Sequence, residues 1–375
     1  MKKGPLHTSL CDDLGIEHPI ILAGMGMKGR ATPPRLVAAV SEAGGLGVLG
    51  CSWLDGDEVR RRVRRVRELT DKPFGVDLLL PATMAEAMPD RAEMRARVKR
   101  DYPRHWEFVQ SLREKFNLPP AEGKGGVMSA AFIRGQVDAC LEERVPVFAA
   151  GLGDPSWVVP LARKVGMKVM GLVGTVRNAQ RQVNAGVDYV IAQGYEAGGH
   201  TGKIATVALV PQVVDAVRPV PVLAAGGIAD GRGLVAGLAL GAVGAWVGTA
   251  FLLANECDIF AVHKDEIVRG SAEDFVVTRA YTGKTARDYR NDVIAAWESS
   301  GLSALPMPLQ GVLMDEFVAA AEAADRADLI NNPVGQIAGM LTKKRPAREI
   351  LLSMVDEAVA VLGRLDSMHT VAARA

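Results

Sequence analysis

Short apolar runs alternate with amphipathic stretches along the first two-thirds of the chain. The apolar runs are rich in β-branched residues and bounded by glycine or polar residues, which is typical of strands buried on both faces. They predict strands at 20–25, 47–50, 74–80, 147–151, 168–173, 189–193, 222–225 and 245–252. Apolar positions with helical spacing lie between them and predict helices at 33–42, 57–69, 132–143, 157–164, 176–184, 207–217 and 231–240.

This alternation predicts an α/β fold with parallel strands joined by right-handed crossovers. Eight such strands are the number found in a TIM (β/α)8 barrel, and the barrel is the predicted architecture. A doubly wound open sheet is the alternative that the strand pattern leaves open, because both folds alternate strands and helices.

The alternation stops between residues 81 and 125, a charged segment with five prolines. A loop of this length in a compact domain usually carries function or covers a site. Because the segment follows the third strand, it should lie at the C-terminal face of the barrel, where barrel active sites are built. We therefore expect an active-site-covering insert and not an independent domain.

The strand pattern also ends near residue 255. Residues 256–332 are mixed, with a helix predicted at 310–324, and suggest a small, mostly helical subdomain. Residues 346–365 carry apolar side chains at helical spacing and predict an amphipathic helix. We expect residues 1–255 to form the barrel and residues 333–375 to pack back on it.

Composition narrows the possible function classes. Lys and Arg number 44 and Asp and Glu number 43, so the net charge of +1 offers no field to recruit nucleic acid or an acidic membrane. The 49% of hydrophobic residues is ordinary for a globular protein. The four cysteines (Cys11, Cys51, Cys140 and Cys257) lie far apart without a C-x-x-C motif, which indicates buried thiols in a reducing cytoplasm and no zinc site.

Two segments imitate membrane signals. Residues 233–255 contain no charged side chain, a length that could span a bilayer. Four glycines interrupt the segment, however, and it divides into the end of a helix and a buried strand. The N-terminus has two lysines but no apolar stretch behind them, so no signal peptide is expected. The sequence thus predicts neither a membrane span nor secretion.

The most informative polar segment is residues 193–202, QGYEAGGHTG, which follows the sixth predicted strand. Glycines let the backbone approach a ligand closely, and a histidine in such a loop can orient a substrate or exchange a proton with it near pH 7. His200 is the candidate catalytic residue. A histidine that only caps the following helix is the structural alternative.

Two glycine-rich turns follow the seventh and eighth predicted strands, AAGGIADG at 224–231 and GAWVGT at 244–249. Barrels commonly bind a phosphate at this place, where backbone N–H groups supply the positive field. Tight turns without a ligand are the alternative. No G-x-G-x-x-G opens a helix after the first strand with an acidic residue about 20 residues further on, so a Rossmann dinucleotide site is not supported, and no P-loop, G-x-S-x-G or H-E-x-x-H motif occurs.

These motifs resemble those of the nitronate monooxygenase (2-nitropropane dioxygenase-like) family of FMN-dependent TIM-barrel enzymes. The resembling pieces are PIILAGM, SEAGGLGVLG, FGVDLLLP, AQGYEAGGHTG, VLAAGGIADGRG and WVGTAFL, with YTGKTAR, LPMPLQ and NPVGQ near the C-terminus. The histidine loop is shared with the related flavin-dependent enoyl-ACP reductases. The resemblance implies FMN as cofactor, and the family often forms homodimers.

The resemblance also implies roles for single residues. His200 matches the family's catalytic histidine. The expected cofactor-binding residues are Ala23, Gly24 and Met25 against the flavin ring, Asp77 and Gln193 near the ring or ribityl chain, Gly198 and Gly199 beside it, and Gly226, Gly227, Trp246, Val247, Gly248 and Thr249 around the phosphate. Two positions depart from the family pattern: Gly24-Met25-Gly26 stands where Pro-Met-Ala is common, and Asp77 stands where Asn is common.

The function expected from this resemblance is oxidation of alkyl nitronates, or nitroalkanes, by O2 to a carbonyl compound and nitrite. His200 would act as base or orienting group. One alternative keeps FMN but reduces quinones or enoyl thioesters with NAD(P)H. A flavin-binding barrel without turnover is the other alternative.

Overall fold

The protein folds around a parallel barrel. A computed structural model describes residues 4–80, 90–123 and 129–372, with only the backbone of 369–372. Eight parallel strands form one sheet in the order β1-β9-β8-β6-β5-β4-β3-β2. They are β1 Ile20–Leu22, β2 Gly47–Gly50, β3 Phe74–Leu80, β4 Val147–Gly153, β5 Lys168–Val173, β6 Tyr189–Gln193, β8 Val222–Ala225 and β9 Gly244–Val247. A parallel bridge between Ile21 and Leu46 joins the two edges, so the sheet closes and the predicted barrel is confirmed.

Helices surround the barrel and extend beyond it. They are α1 Ser9–Leu14, α2 Pro34–Glu42, α3 Gly56–Leu69, α4 Arg91–Asp101, α5 Pro103–Lys115, α6 Ala130–Glu142, α7 Val159–Val165, α8 Val176–Ala185, α9 Thr206–Val217, α10 Gly231–Ala239, α11 Thr249–Leu252, α12 Ala261–Arg269, α13 Asp292–Ser299, α14 Leu309–Ala323 and α15 Ala347–Ala372. The predicted strand at 245–252 is wrong in its second half, where α11 replaces it. The apolar run is continuous there, so periodicity alone cannot show where the strand ends.

Side chains alternate between the inside of the barrel and its helical coat. Val48, Met170, Ile191 and Leu223 point inward, and helix α1 closes the N-terminal end of the barrel. The sequence analysis did not predict α1. Its neighbour Thr8 donates through Oγ1 to the carbonyl oxygen of Val243 at 2.6 Å, which fixes this plug to the start of β9.

The long helix α15 packs on the barrel coat against α10 and α2. Close approach to α10 requires glycine at Gly231, because a Cβ there would lie 2.1 Å from the backbone nitrogen of Ala358. The Gly231 N–H donates to Glu357 Oε2 at 3.0 Å, so α15 also caps the start of α10.

A second sheet connects the barrel to the chain that follows it. Strands β10 (Phe275–Thr278) and β11 (Ala286–Tyr289) pair antiparallel, and β11 also pairs with the two-residue strand β7 (Gly199–His200). This hairpin was not predicted. Both strands are only four residues long and β11 is polar, so the pair lacks the repeated apolar runs that mark the barrel strands.

The insert helices α4 and α5 share a second apolar core with α13 and α14. Val98, Val109 and Leu112 of the insert are at most 3% exposed. They belong to the same buried cluster as Trp297 and Phe317 of the later helices. Residues 81–89 and 124–125 of the predicted insert lie outside the described residues. Its described helices therefore help to build the C-terminal subdomain, and a role in covering the active site stays a prediction.

Removing a buried insert side chain should therefore destabilise the protein. We expect Leu112→Ala to lower the free energy of unfolding by about 2–5 kcal/mol, because it leaves a cavity in the second core. Urea-induced unfolding followed by circular dichroism measures the change. The exposed neighbour Ser111 provides a control, and Ser111→Ala should change stability by about 0.5 kcal/mol or less. Equal stability of both variants would contradict a structural role for the insert.

Candidate active site

The C-terminal ends of β1, β2 and β9 meet at one side of the barrel mouth. Gly50 lies so close to Met25 that a Cβ on it would be 2.1 Å from the Met25 carbonyl oxygen. A Cβ on Gly248 would lie 3.2 Å from Met25 Sδ and 3.6 Å from Ala23 Cβ. The structure thus brings Ala23, Met25 and Gly248 together, as a shared ligand would require.

A buried threonine that the sequence analysis missed fixes this corner. Thr32 donates through Oγ1 to the carbonyl oxygen of Met25 at 3.0 Å. Thr32 Oγ1 also accepts a hydrogen bond from the backbone N–H of Gly50 at 2.7 Å. Nothing in the local sequence distinguishes Thr32 from a solvated loop threonine, since both partners become neighbours only when the barrel closes.

Asp77 of β3 lies inside the barrel mouth beside Gly24 and is 6% exposed. The N–H of Gly151 donates to its carboxyl group. Burial raises the pKa of Asp77 well above its ordinary value, and the Gly151 hydrogen bond opposes this only in part.

The histidine loop connects β6 to the second sheet. Gln193, at the end of β6, donates through Nε2 to the carbonyl oxygen of His200 at 2.7 Å. His200 is paired in register with Ala286 and Gly199 with Arg287. Gly199 has a φ of 65°, a left-handed conformation that glycine adopts without strain. The loop is thus held from the barrel side and from the outer sheet.

His200 faces the turn that precedes β11. Its Nε2 lies 3.4 Å from Thr282 Oγ1, and Thr282 in turn bonds both the N–H and the carbonyl oxygen of Lys284. Burial, and to a smaller extent the positive charge of Lys284, lowers the pKa of His200 to about 4. At neutral pH the imidazole is therefore uncharged.

Lys284 is partly buried, and burial lowers the pKa of its ammonium group. Among the ion pairs of the described residues, none involves Lys284. A cation next to an uncharged histidine suits an anionic ligand, because the ligand would supply the missing negative charge.

Arg287 holds the histidine loop from below and was also missed in the sequence. Its side chain is 2% exposed. It donates through Nη2 to the carbonyl oxygen of Tyr195 at 2.9 Å and through Nη1 to that of Phe275 at 2.7 Å. Its guanidinium carbon lies over the Tyr195 ring, 4.6 Å from the ring centroid. Because Tyr195 is far away in sequence, the chain itself gives no signal for this contact.

The turn after β8 has two consecutive glycines in the left-handed region. Gly226 has a φ of 91° and Gly227 a φ of 73°. A Cβ on Gly227 would lie 3.5 Å from Glu196 Cβ, an ordinary contact, so conformation and not space calls for glycine here. Glu196 accepts hydrogen bonds from the N–H and the hydroxyl of Thr206 and so fixes the start of α9.

The side chains of the turn after β9 are less available to a ligand than the sequence suggests. Trp246 points into the barrel and Val247 into the outer core, so the side chains of both residues are buried in the scaffold. Thr249 Oγ1 accepts the N–H of Gly335 at 3.0 Å. Only the backbone of this turn and the hydroxyl of Thr249 remain near the barrel mouth.

The NPVGQ segment closes over the histidine loop. A Cβ on Gly198 would lie 2.6 Å from the backbone nitrogen of Gly335, and Gln336 donates its N–H to the Glu196 carbonyl oxygen at 3.0 Å. Gly198 therefore serves close packing against this segment. Whether it also contacts a ligand stays a prediction.

The residues expected at the site all come from the C-terminal ends of barrel strands or the loops after them, as in other TIM barrels. In the described ranges, no group of three or more His, Cys, Asp or Glu side chains is arranged to hold a metal ion. The described helices also include none with the length and apolar character needed to cross a membrane.

Comparisons with known proteins show the family of the chain. The family model described as nitronate monooxygenase matches residues 7–357. A Mycobacterium tuberculosis protein described as a monooxygenase is 36% identical over 379 residues, covering 97% of this chain and 99% of the relative. A Staphylococcus aureus protein described as a nitronate monooxygenase is 32% identical over 355 residues, covering 92% and 95%.

Solved structures extend the likeness to the fold. Nitroalkane oxidase from Streptomyces ansochromogenes superposes with a TM-score of 0.81 at 29% identity, over 95% of this chain and 99% of that one. FabK from Thermotoga maritima has a TM-score of 0.76 at 32% identity, over 96% and 99%. With a family match over nearly its whole length and a TIM barrel that carries the histidine loop, the chain belongs to the nitronate monooxygenase family of flavin-dependent oxidoreductases.

Proposed function

We propose that the protein is an FMN-dependent enzyme that oxidises alkyl nitronates with O2 to a carbonyl compound and nitrite. The observation that carries this proposal is the pairing of an uncharged His200 with the unpaired cation of Lys284 at the barrel mouth. A nitronate is a small anion with two oxygen acceptors. It would balance the Lys284 charge and accept a hydrogen bond from the imidazole if the proton lies on the facing nitrogen.

An orienting role for His200 is better supported than a role as general base. A general base works best when its pKa lies near the operating pH, and the pKa of His200 is about 4. Since the group is neutral well above that pH, the activity should show no His200 titration between about pH 6 and 8. A preformed nitronate has already lost its α-proton, so it needs orientation and charge balance but no strong base.

The residues at the mouth fit FMN. The successive left-handed glycines Gly226 and Gly227 form a turn of the kind that presents backbone N–H groups to an anion, and Gly248 and Thr249 face the same mouth. Ala23, Gly24, Met25, Asp77 and Gln193 would hold the ring and ribityl chain. When bound, FMN supplies the electron transfer between substrate and oxygen. Within the described ranges we identify one phosphate-binding corner and no second one for an adenosine half, which favours FMN over FAD.

The alternative is an NAD(P)H-dependent reductase with the same cofactor. The structural similarity to FabK extends over nearly the whole chain and supports this second candidate. The two functions differ in how the flavin is reduced. Mixing the holoenzyme with NADH or NADPH without oxygen should leave the flavin colour unchanged on the timescale of nitronate turnover. Rapid bleaching would favour the reductase.

Gly227→Val should lower FMN affinity by about 10-fold or more, because a β-branched residue is strained at a φ of 73° and would distort the phosphate-binding turn. The measurement is flavin content after purification, with chromatography of the released flavin to identify FMN. Gly166 is the matched control: its φ is 75°, a Cβ there meets no atom within 4 Å, and it lies at the opposite end of the barrel. Gly166→Val should be strained without losing flavin. Equal flavin content in both variants would argue against this phosphate site.

His200→Ala should reduce kcat/KM for a preformed nitronate by about 10- to 100-fold, the worth of a hydrogen bond to a charged group. Nitrite release under air measures the rate. His200→Gln, which keeps hydrogen-bonding capacity, should lose less. Flavin content should stay unchanged in both, because Gln193 bonds only the backbone of His200. Wild-type activity in the alanine variant would remove His200 from the reaction.

Lys284→Met should raise KM for the nitronate by about 10-fold with little change in kcat, because a charge that binds the anion equally throughout is lost. Lys284→Arg should restore KM. The pKa of His200, followed by NMR of its ring protons, should also rise in the methionine variant, since the Lys284 charge lowers it. An unchanged KM with a raised histidine pKa would show that Lys284 is near the site but does not bind substrate.

A further inference from the structure

Asp77 occupies a space between two strand ends that glycine leaves open. On β1, a Cβ added to Gly24 would lie 2.2 Å from Asp77 Cβ and 3.0 Å from Oδ2. On β4, a Cβ added to Gly151 would lie 3.4 Å from Asp77 Oδ1. The carboxyl group is therefore held in a fixed place beside the strand end where the flavin ring is expected. Asp77 is only 6% exposed.

No positive charge compensates this carboxyl group among the described residues. Its ion-pair partners would have to come from β1, β2 or β4, and the residues of β1 and β4 that face it are not titratable. From the β2 side, the Cys51 thiol is near enough to feel the Asp77 charge, and burial raises the pKa of that thiol to about 12. The Arg62 and Glu58 side chains on α3 also act on Cys51, and they are paired with each other at 2.7 Å.

A carboxylate without a cation in such a place is costly, whereas a neutral carboxylic acid is not. The Gly151 N–H satisfies one oxygen. A protonated carboxyl group has one O–H to donate, but an ionised one can only accept. The pyrimidine edge of a flavin carries several nitrogen and oxygen acceptors and one N–H donor. The protonated carboxyl group can donate to these acceptors, which the ionised form cannot do.

We propose that Asp77 keeps its proton in the folded enzyme and serves as a positioning residue that donates this proton in a hydrogen bond to the flavin. The inference rests on the proposed FMN function and adds to it a residue that couples cofactor binding to pH. FMN affinity should fall only where the pH rises above the ionisation of Asp77, because the ionised carboxylate can no longer donate. No covalent bond is made or broken.

Two variants separate the hydrogen bond that Asp77 donates from the negative charge of its ionised form. Asp77→Asn has nearly the same shape, can donate, and cannot ionise, so it should bind FMN without the Asp77 contribution to the pH dependence. Asp77→Leu is neutral without a donor and should bind about 10-fold more weakly at every pH. Quenching of FMN fluorescence from about pH 5 to about pH 9 gives the dissociation constants. Titration of FMN itself is common to all forms and cancels in the ratio of wild type to Asp77→Asn.

Infrared spectroscopy supplies a second measurement that does not depend on activity. The wild-type spectrum should contain the carbonyl stretch of a protonated carboxylic acid that is absent from Asp77→Asn, both before and after flavin loading. Absence of this band at neutral pH, or a wild-type affinity that already falls relative to that of Asp77→Asn below neutral pH, would overturn the proposal. So would wild-type affinity in Asp77→Leu. If no form binds FMN, the proposed cofactor fails with the donor role, while the band in the flavin-free protein still reports whether Asp77 is protonated.

Discussion

The pairing of Gly199 and His200 with Arg287 and Ala286 is the contact on which the active site depends. This short antiparallel ladder joins a loop of the barrel to a hairpin that follows the barrel in the chain. It fixes the backbone of His200 and brings Thr282 and Lys284 to its imidazole. Without the ladder, the histidine would lie on a free loop and its ring would have no defined neighbours. The barrel alone is therefore an incomplete site, and the outer subdomain supplies the missing wall.

Buried charge gives this wall its chemical character. Arg287 donates its hydrogen bonds to backbone carbonyl oxygens, so its charge holds the histidine loop in place. Lys284 has no such partner among the described ion pairs, and its charge remains available to a ligand. Burial lowers the pKa of His200 and of Lys284 and raises that of Asp77, in each case toward the uncharged form. These uncharged forms are the basis of the proposed binding of a small anion and of a flavin held by neutral donors.

The insert changes how the molecule is divided. Its described helices α4 and α5 bury apolar side chains against α13 and α14, so two segments that are distant in sequence share one core. That core also packs against the hairpin that carries Lys284. A destabilised insert can therefore alter the candidate site without a direct contact to it. Packing thus connects the stability of the insert to substrate binding. The high charge and proline content of the insert gave no sign of this connection in the sequence.

The sequence by itself determined the alternation of parallel strands and helices, most strand boundaries and the position of the histidine loop, whereas the closure of the sheet into a barrel is seen in the pairing of Ile21 with Leu46. Fully buried parallel strands leave continuous apolar runs, and glycines with a single histidine mark a ligand loop, so local patterns were sufficient. Only the tertiary structure decided which residues meet that loop. Thr32, Lys284 and Arg287 act on partners that are close in space but not in the chain, and the state of Asp77 depends on how completely the closed barrel excludes water and cations. Such effects come from burial and from contacts across the sheet, which no short stretch of sequence encodes.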